Sequence, residues 1–165
     1  MERTFTFAKP DIIKIGRHYE AFSYLDNRLL REFGKFERTG RLFLKPSEKL
    51  AQQHYIHIKN LGEKFISIYN QMIRQMTETG VLATIYRGRE GLAQAVKELV
   101  GSTNPKKATK GTIRNLFSND DLEEAKKQGR PTKNAMHSSD SEKAEEEIRL
   151  WACELPEGLM YFLIN

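Results

Sequence analysis

Four short stretches of the chain have the pattern of β-strands. RTFTFA, residues 3–8, alternates apolar and polar positions with a period of two, and Pro10 would end it because proline cannot donate to a strand ladder. Residues 35–44, VLATIY at 81–86 and a brief stretch at 133–136 predict the other three strands.

Between these stretches, apolar residues recur three and four positions apart, which is the spacing of one helix face. The clearest case is EKFISIYNQMIRQMTETG, in which Phe65 and Tyr69 begin an apolar stripe and Gly80 is a typical helix stop. Ser47 is a suitable N-cap behind Pro46. The pattern predicts helices at 17–31, from 47, over about 63–79, and at 90–101, 120–127 and 140–151.

The resulting order, β-α-β-α-α-β-α-loop-β-α, predicts an α+β fold. We expect a ferredoxin-like sandwich with a four-stranded antiparallel sheet and helices on one face. A chain of 165 residues is long enough for one hydrophobic core. We place the domain at 1–152 and a C-terminal tail at 153–165, whose apolar end is expected to pack on the body or on another subunit.

Composition narrows the class of protein. No apolar run is long enough to span a bilayer, so no membrane partner is predicted. The first residues, MERTFTFAKPD, do not have the layout of a signal peptide, and Cys153 is the only cysteine, so no intramolecular disulfide can form. These features favour the cytoplasm as the location.

The charge is unevenly distributed. The formal net charge is +5, which favours an anionic partner. NPKKATKGTIR at 104–114 and KKQGRPTK at 126–133 are strongly basic. Two hypotheses follow, a surface that binds a polyanion or a smaller pocket for a triphosphate, and scattered solvated charge is the alternative to both.

The stretch KNAMHSSDSEKAEEEIRLW, residues 133–151, contains the main candidate for chemistry. Ser139 and Glu142 match the capping-box pattern of a helix start. Glu147 would lie at the edge of the inward face of that helix, where an imidazole is a natural partner. A carboxylate on one ring nitrogen of His137 would leave the other free as a nucleophile. From the local sequence alone, an exposed loop histidine beside a salt-bridged glutamate is the commoner arrangement.

Four separated motifs, taken in order, resemble the nucleoside diphosphate kinase family. They are KPD at 9–11, HY at 54–55, GSTNPKKATKGTIR at 101–114 and NAMHSSDS at 134–141, and the resemblance covers roughly residues 2–152. Several motifs in the same order are far more specific than any one of them. The resemblance implies an enzyme that moves the γ-phosphate of a nucleoside triphosphate to a nucleoside diphosphate through a phosphohistidine.

The resemblance also assigns the residues around the nucleophile. It implies that His137 accepts the phosphate in a ping-pong reaction and that Ser139 and Glu147 orient the imidazole. The helix between SDS and the tryptophan is one residue shorter than usual in the family, so Glu146 would replace Glu147 if the register slips.

Five further positions match the family's motifs. By resemblance, Lys9 contacts the terminal phosphate and the ribose, Tyr55 brings its hydroxyl near the transferring group, and Asn134 binds a sugar hydroxyl. Thr103 and Arg114 would hold phosphate oxygens, and the planar guanidinium could do so with two parallel bonds. Mg²⁺ would be held through the nucleotide phosphates and water, so no protein metal ligands are predicted.

Some positions depart from the family pattern. Lys97 stands where arginine is usual, and it keeps the charge but loses the planar fork. The loop between Arg114 and Asn134 is longer than in common members. Phe65 is the best candidate for the residue that stacks on the base, with a core position as the alternative. The remaining histidines match no catalytic position and are expected to be surface or packing residues: His18, His54 and His57.

The resemblance implies nucleoside di- and triphosphates as partners and a homo-oligomer, either a tetramer or a hexamer built from dimers. The alternative function is a basic nucleic-acid-binding or scaffold protein with weak catalysis on the same fold. No G-x-x-x-x-G-K-[ST] motif is present, and no His or Cys cluster has metal-ligand spacing, so the sequence predicts neither a P-loop kinase nor a metal hydrolase.

Overall fold

A computed structural model describes residues 1–39 and 41–154 of the chain. Its centre is an antiparallel sheet with the strand order β2-β4-β1-β5, in which β3 also pairs with β4. The strands are β1 (Glu2–Ala8), β2 (Glu37–Arg38), β3 (Leu42–Leu44), β4 (Val81–Gly88) and β5 (Met136–Ser138).

The helices within the described residues lie between and after these strands. They are α1 (Pro10–Lys14), α2 (His18–Glu32), α3 (Glu48–His54), α4 (Ile56–Lys59), α5 (Ile66–Thr79), α6 (Leu92–Val100), α7 (Ile113–Phe117), α8 (Leu122–Lys127) and α9 (Ala144–Ala152). Short 3₁₀ turns occur at Glu63–Phe65 and Pro105–Lys107. No helix in the described part of the chain is both long and apolar enough to cross a membrane.

The predicted α+β, ferredoxin-like fold is confirmed, but the described residues form five strands rather than four. The predicted strand at 35–44 is split, because Arg38 pairs with Tyr86 whereas Leu42 pairs with Ala83. These two pairs are four positions apart along the first segment and three apart along β4, so the two short strands do not share one register. Taken together, β2 and β3 occupy one edge of β4, which corresponds to the single strand of the prediction.

Helices cover both faces of the sheet, so the prediction of one covered face needs correction. Ala8, Leu82 and Tyr86 pack with α2 and α6. Side chains of opposite orientation on the same strands, such as Phe7 and Ala83, pack with α3, α5 and α9. The cause is visible in β4, whose first six residues are all buried, as in a strand covered on both sides.

The predicted capping box before the last helix is wrong. The helix α9 begins at Ala144, and Ser139, which directly follows β5, is held against β1 because its backbone N–H donates to Phe5 O at 3.0 Å. The side chain of Ser139 is consequently directed into the protein interior, where it contacts the carboxylate of Glu147. From residue 155 onward, the predicted C-terminal tail lies outside the described residues.

Candidate functional site

A strained turn introduces the strand that carries His137. Ala135 has a φ of 62°, and the N–H of Met136 donates to Asn134 O at 2.7 Å. A hydrogen bond from the N–H of one residue to the carbonyl two positions before it, around a central residue with positive φ, is typical of the rare γ-turn. The turn is held from outside, since Ala135 O accepts from Lys9 N at 2.8 Å and Ala135 N donates to Asp11 Oδ2 at 2.9 Å.

The imidazole of His137 is held on one face and at one nitrogen. His137 pairs with Phe7 across the strands, and the two rings stack with centroids 4.7 Å apart and an interplanar angle of 20°. Nε2 of His137 lies 2.6 Å from Oε2 of Glu147. The carboxylate is therefore an acceptor for an N–H on Nε2, which leaves Nδ1 with the free lone pair.

Glu147 is itself held in place by Ser139. The hydroxyl of Ser139 lies 2.7 Å from Glu147 Oε2 and 3.1 Å from Phe5 O. One hydroxyl proton cannot be donated to both, and the charged carboxylate is the stronger acceptor. Burial alone would raise the pKa of Glu147, but its hydrogen bond to His137, together with the charges nearby, lowers the pKa to about 2. Glu147 is thus a carboxylate at every physiological pH.

A cavity of about 440 Å³ opens in front of His137. Eight of the ten candidate site residues border it, and the other two, Ser139 and Glu147, lie behind the imidazole. The eight are Lys9, Tyr55, Phe65, Lys97, Thr103, Arg114, Asn134 and His137. The structure therefore brings together residues from both ends and the middle of the chain.

Lys9 and Asn134 form a polar chain along the cavity wall. Lys9 Nζ donates to Asn134 Oδ1 at 2.7 Å, and Asn134 Nδ2 donates to Thr103 O at 3.0 Å. Burial lowers the pKa of Lys9 to about 8, against the opposing effect of the Asp11 carboxylate and with a further lowering by Arg114. The ammonium group is charged at neutral pH but poorly solvated, so an anionic ligand would stabilise it.

Arg114 holds the backbone around His137 in place. Its guanidinium donates to Met136 O through Nε at 3.1 Å and Nη2 at 2.8 Å, and to Gly101 O through Nη1 at 2.8 Å. Three of its five N–H groups are thereby used, so one on each terminal nitrogen is left for a ligand. Burial lowers the pKa of Arg114 to about 10, so the side chain keeps its charge at neutral pH.

Tyr55 and Phe65 differ in how fully the protein encloses them. Tyr55 is buried, burial raises the pKa of its phenol, and its hydroxyl contacts the weakly accepting sulfur of Met76 at 3.9 Å. Phe65 is only partly buried and borders the cavity. This placement disfavours a core role for Phe65 and suits a planar ligand ring.

Comparison with known proteins decides the family. A family model described as nucleoside diphosphate kinase matches residues 2–154. The chain belongs to the nucleoside diphosphate kinase family. The Synechococcus elongatus nucleoside diphosphate kinase is 34% identical over 155 residues, covering 92% of this chain and 87% of the relative. The Carboxydothermus hydrogenoformans enzyme is 35% identical over 152 residues, with the same coverage of each chain.

Solved structures agree. The Borrelia burgdorferi nucleoside-diphosphate kinase, a transition-state mimic with bound vanadate and ADP, has a TM-score of 0.76 at 25% identity, covering 91% of this chain and 86% of the other. The Halobacterium salinarum enzyme in complex with CDP has a TM-score of 0.71 at 27% identity, with the same coverage. The resemblance seen in the four motifs is thus confirmed, and the chain is a phosphotransferase of the nucleoside diphosphate kinase type.

Lys97, which departs from the family pattern, lies at the mouth of the cavity. Its Nζ is 2.6 Å from Asp140 Oδ1, and each side chain is about half exposed. An exposed pair of this kind contributes little to stability and is readily exchanged for another partner. Lys97 can therefore turn to a ligand phosphate as a point charge, without the two-pronged contact that arginine would provide.

The long segment after Arg114 forms part of the cavity wall, which the sequence did not predict. Asp120 accepts two bonds from Arg130, at 2.7 and 2.9 Å, and this contact together with backbone amides lowers the pKa of Asp120 to about 2. Asn104 ties the start of α8 to the preceding turn by accepting from Leu122 N at 3.2 Å. Residues of this segment that border the cavity are Leu122, Lys126, Arg130, Pro131 and Thr132. Only the segment's unusual length signalled this role.

The low pKa of Lys9 predicts a pH dependence of nucleotide binding. A bound phosphate favours the charged ammonium, so the complex has a higher Lys9 pKa than the free protein, in which the value is about 8. The association constant for ADP is expected to be constant between pH 7 and 7.5 and to fall as pH rises through 8. Titration calorimetry from pH 7 to 9.5 measures it. Lys9→Met should abolish the decline, whereas Lys14→Met, at an exposed position, should keep it; a flat wild-type profile would contradict the assignment.

Proposed function

We propose that the chain transfers the γ-phosphate of a nucleoside triphosphate to a nucleoside diphosphate by a ping-pong mechanism through phospho-His137. The observation that carries this proposal is the 2.6 Å contact between His137 Nε2 and Glu147, on the side of the ring away from the cavity. It leaves Nδ1 as the nucleophilic nitrogen and supplies a negative charge to balance the imidazolium character that develops on phosphorylation.

In the first half-reaction, the lone pair of Nδ1 attacks the γ-phosphorus. The bond between Nδ1 and phosphorus forms while the bond from phosphorus to the bridging oxygen breaks, and that oxygen leaves with the electron pair on the nucleoside diphosphate. The second half-reaction reverses these steps with another nucleoside diphosphate as acceptor. The protein's contribution is mainly positioning and charge, as phosphoryl transfer requires.

Different residues at the border of the cavity contact different parts of the nucleotide. Lys9 and Arg114 meet the phosphate oxygens with buried positive charge, and Thr103 and Lys97 contact them from the more exposed side. Asn134 holds Lys9 through Oδ1 and is placed to bind a sugar hydroxyl. Two aromatic residues complete the site: Tyr55 near the transferring group and Phe65 against the base.

Mg²⁺ fits this site as part of the nucleotide rather than as a resident of the protein. Within residues 1–39 and 41–154, no three His, Cys, Asp or Glu side chains converge to hold a metal ion. Phosphate oxygens and water are the ligands that Mg²⁺ prefers in such sites. The ion supplies charge neutralisation to the phosphates when it is bound.

The experiment that tests the function detects the intermediate and its discharge. The protein is incubated with ATP labelled in the γ-phosphate, and the chain is expected to carry an acid-labile label. Addition of GDP should remove the label and produce labelled GTP. ATP labelled in the α-phosphate should leave the chain unlabelled. A chain that stays unlabelled with γ-labelled ATP would rule out the phosphohistidine route.

The alternative function, a nucleic-acid-binding or scaffold protein, has less support from the geometry. Several of the basic residues that motivated it are paired with acids: Lys106 with Asp121, Lys126 with Glu123, and Arg130 with Asp120. The charge offered to a polyanion is reduced accordingly. A binding constant for single-stranded DNA or RNA that falls steeply with salt would revive this function, and a weak, flat response would remove it.

The assembly and location remain predictions. We propose a homo-oligomer, either a tetramer or a hexamer of dimers, that acts in the cytoplasm with free nucleotides as its partners. Gel filtration coupled to light scattering gives the mass of the assembly and decides between the two.

A further inference from the structure

His54 is a buried histidine beside the nucleophile to which the sequence assigned no role. It is the last residue of α3 and only 7% exposed, rather than a surface residue. Its ring centroid lies 4.8 Å from that of His137, with the two planes at 79°. His54 also borders the cavity in front of His137.

The proton of His54 has a defined place. Trp151 Nε1 donates to His54 Nδ1 at 3.3 Å, and an indole N–H can only donate. Nδ1 is therefore the acceptor nitrogen, and the neutral imidazole carries its proton on Nε2. Burial, with a further contribution from His137, lowers the pKa of His54 to about 3, so the ring is neutral at every physiological pH.

The N–H on Nε2 of His54 is enclosed but has no hydrogen-bond partner within residues 1–39 and 41–154. An enclosed donor without an acceptor is uncommon in folded proteins and costs stability. A phenylalanine at this position could pack against His137 without that cost. The arrangement is explained if the acceptor arrives with the ligand.

The acceptor can be identified from the chemistry of the neighbourhood. The charged groups that Lys9 and Arg114 bring to the cavity are donors and cannot accept from Nε2. Glu147 Oε2 is occupied by His137 and Ser139. A phosphoryl group on His137 Nδ1 would bring unpaired anionic oxygens to the ring that His54 contacts.

We propose that His54 is a further catalytic residue, whose Nε2–H donates a hydrogen bond to the phosphoryl group as it passes to and from His137. This inference rests on the proposed phospho-His137 mechanism. His54 keeps its proton throughout, and the bonds that form and break are those of the phosphoryl transfer itself. Trp151 is a positioning residue, because it holds the Nε2–H tautomer.

Two amide variants separate the two nitrogens of the ring. In His54→Gln, the amide nitrogen reaches the place of Nε2 and keeps a donor there. In His54→Asn, the shorter amide ends near Nδ1, where its oxygen can accept from Trp151, and no donor remains at the place of Nε2. Single-turnover formation of the phosphoenzyme from ATP is measured for both. We expect His54→Asn to be slowed about ten- to a hundredfold, the effect of losing a hydrogen bond to a charged group, and His54→Gln to be within about threefold of wild type.

The effect should appear in kcat with the KM for ATP nearly unchanged, because the bond is made during transfer. His18→Gln, at the start of α2 and outside the cavity, should behave as wild type. If both His54 variants react as fast as wild type, or if both are slowed equally while their melting temperatures match, the inference is wrong and the phosphohistidine mechanism stands. If the wild-type chain itself acquires no label, both proposals fail.

A measurement on the unmutated protein guards against variants that do not fold. With ¹⁵N-labelled histidine, NMR should show the His54 proton on Nε2 in the free protein. That proton should move downfield when His137 is phosphorylated, as a new charge-assisted hydrogen bond requires. A His54 proton on Nδ1, or a resonance that phosphorylation leaves in place, would overturn the inference.

Discussion

His137→Ala is expected to lower kcat/KM for phosphoryl transfer by about 10⁴- to 10⁶-fold, the scale on which other enzymes lose activity when a covalent nucleophile is removed. The neighbouring His54 is not placed to accept the phosphate instead, because its Nδ1 accepts from Trp151 and its Nε2 carries the proton. A coupled assay for ATP formation from ADP and GTP measures the loss.

Nucleotide binding provides the control for this variant. The groups that bind phosphate lie on other elements, among them Lys9 after β1 and Arg114 in α7, so the Kd for ADP should stay within about threefold of wild type. Acid-labile labelling by ATP should be abolished. His137→Ala protein that still forms labelled chain would place the phosphate on another residue.

Glu147→Gln is expected to lower kcat by about 10²-fold or more, with a smaller effect on the KM. The amide keeps the shape of the carboxylate but loses its charge, so it stabilises the phosphorylated imidazole less and can hold the wrong tautomer of His137. Single-turnover phosphorylation and steady-state rates, compared at pH 7.5, give the two effects.

Glu146→Gln is the matched control, since this neighbour is exposed and the same change of charge occurs one residue away. It should leave kcat within about twofold of wild type. The reverse result, a large loss with Glu146→Gln and none with Glu147→Gln, would mean that the other register of α9 is correct.

The ionisation of Glu147 should also change how the stability of the protein depends on pH, in a direction that can be measured. Its pKa is lowered to about 2 in the folded chain, so its contribution to stability is present above its ordinary pKa and is lost as pH falls towards 2. Denaturant titrations between pH 2 and 6 should therefore show a smaller acid-induced loss of stability for Glu147→Gln than for wild type. An equal loss in both would show that the pair does not lower the pKa of the carboxylate.

Much of the architecture followed from the pattern of the chain, for local reasons. The first strand, the long second helix and the stop at Gly80 depend on side chains close in sequence, and the structure has each within a few residues of its predicted bounds. The errors arose where distant contacts override local preference. Ser139 looked like a helix cap, but its hydrogen bonds to the carbonyl of Phe5, 134 positions away, hold it against β1 instead.

His54 shows what sequence could not reveal about the site. It belongs to the HY motif at 54–55, but that motif assigned a role only to Tyr55, and the neighbours of His54 along the chain are ordinary for the end of a helix. Its surroundings are set by Trp151, 97 positions further on, and by Phe7, 47 positions before it. Burial, and with it the tautomer and the unpartnered N–H, exists only after these segments have packed.

By itself, the sequence determined the family and a candidate nucleophile, His137, because the motifs occur in a fixed order with the same types of residue in each. Only the tertiary structure decided which glutamate reaches His137, that helices cover both faces of the sheet, and that the long segment after Arg114 borders the cavity. The physical reason is that hydrogen-bond geometry and burial depend on contacts between segments that are distant in the chain. A shift of one residue in register changes those contacts, whereas the type of residue at a position can be read directly from the sequence.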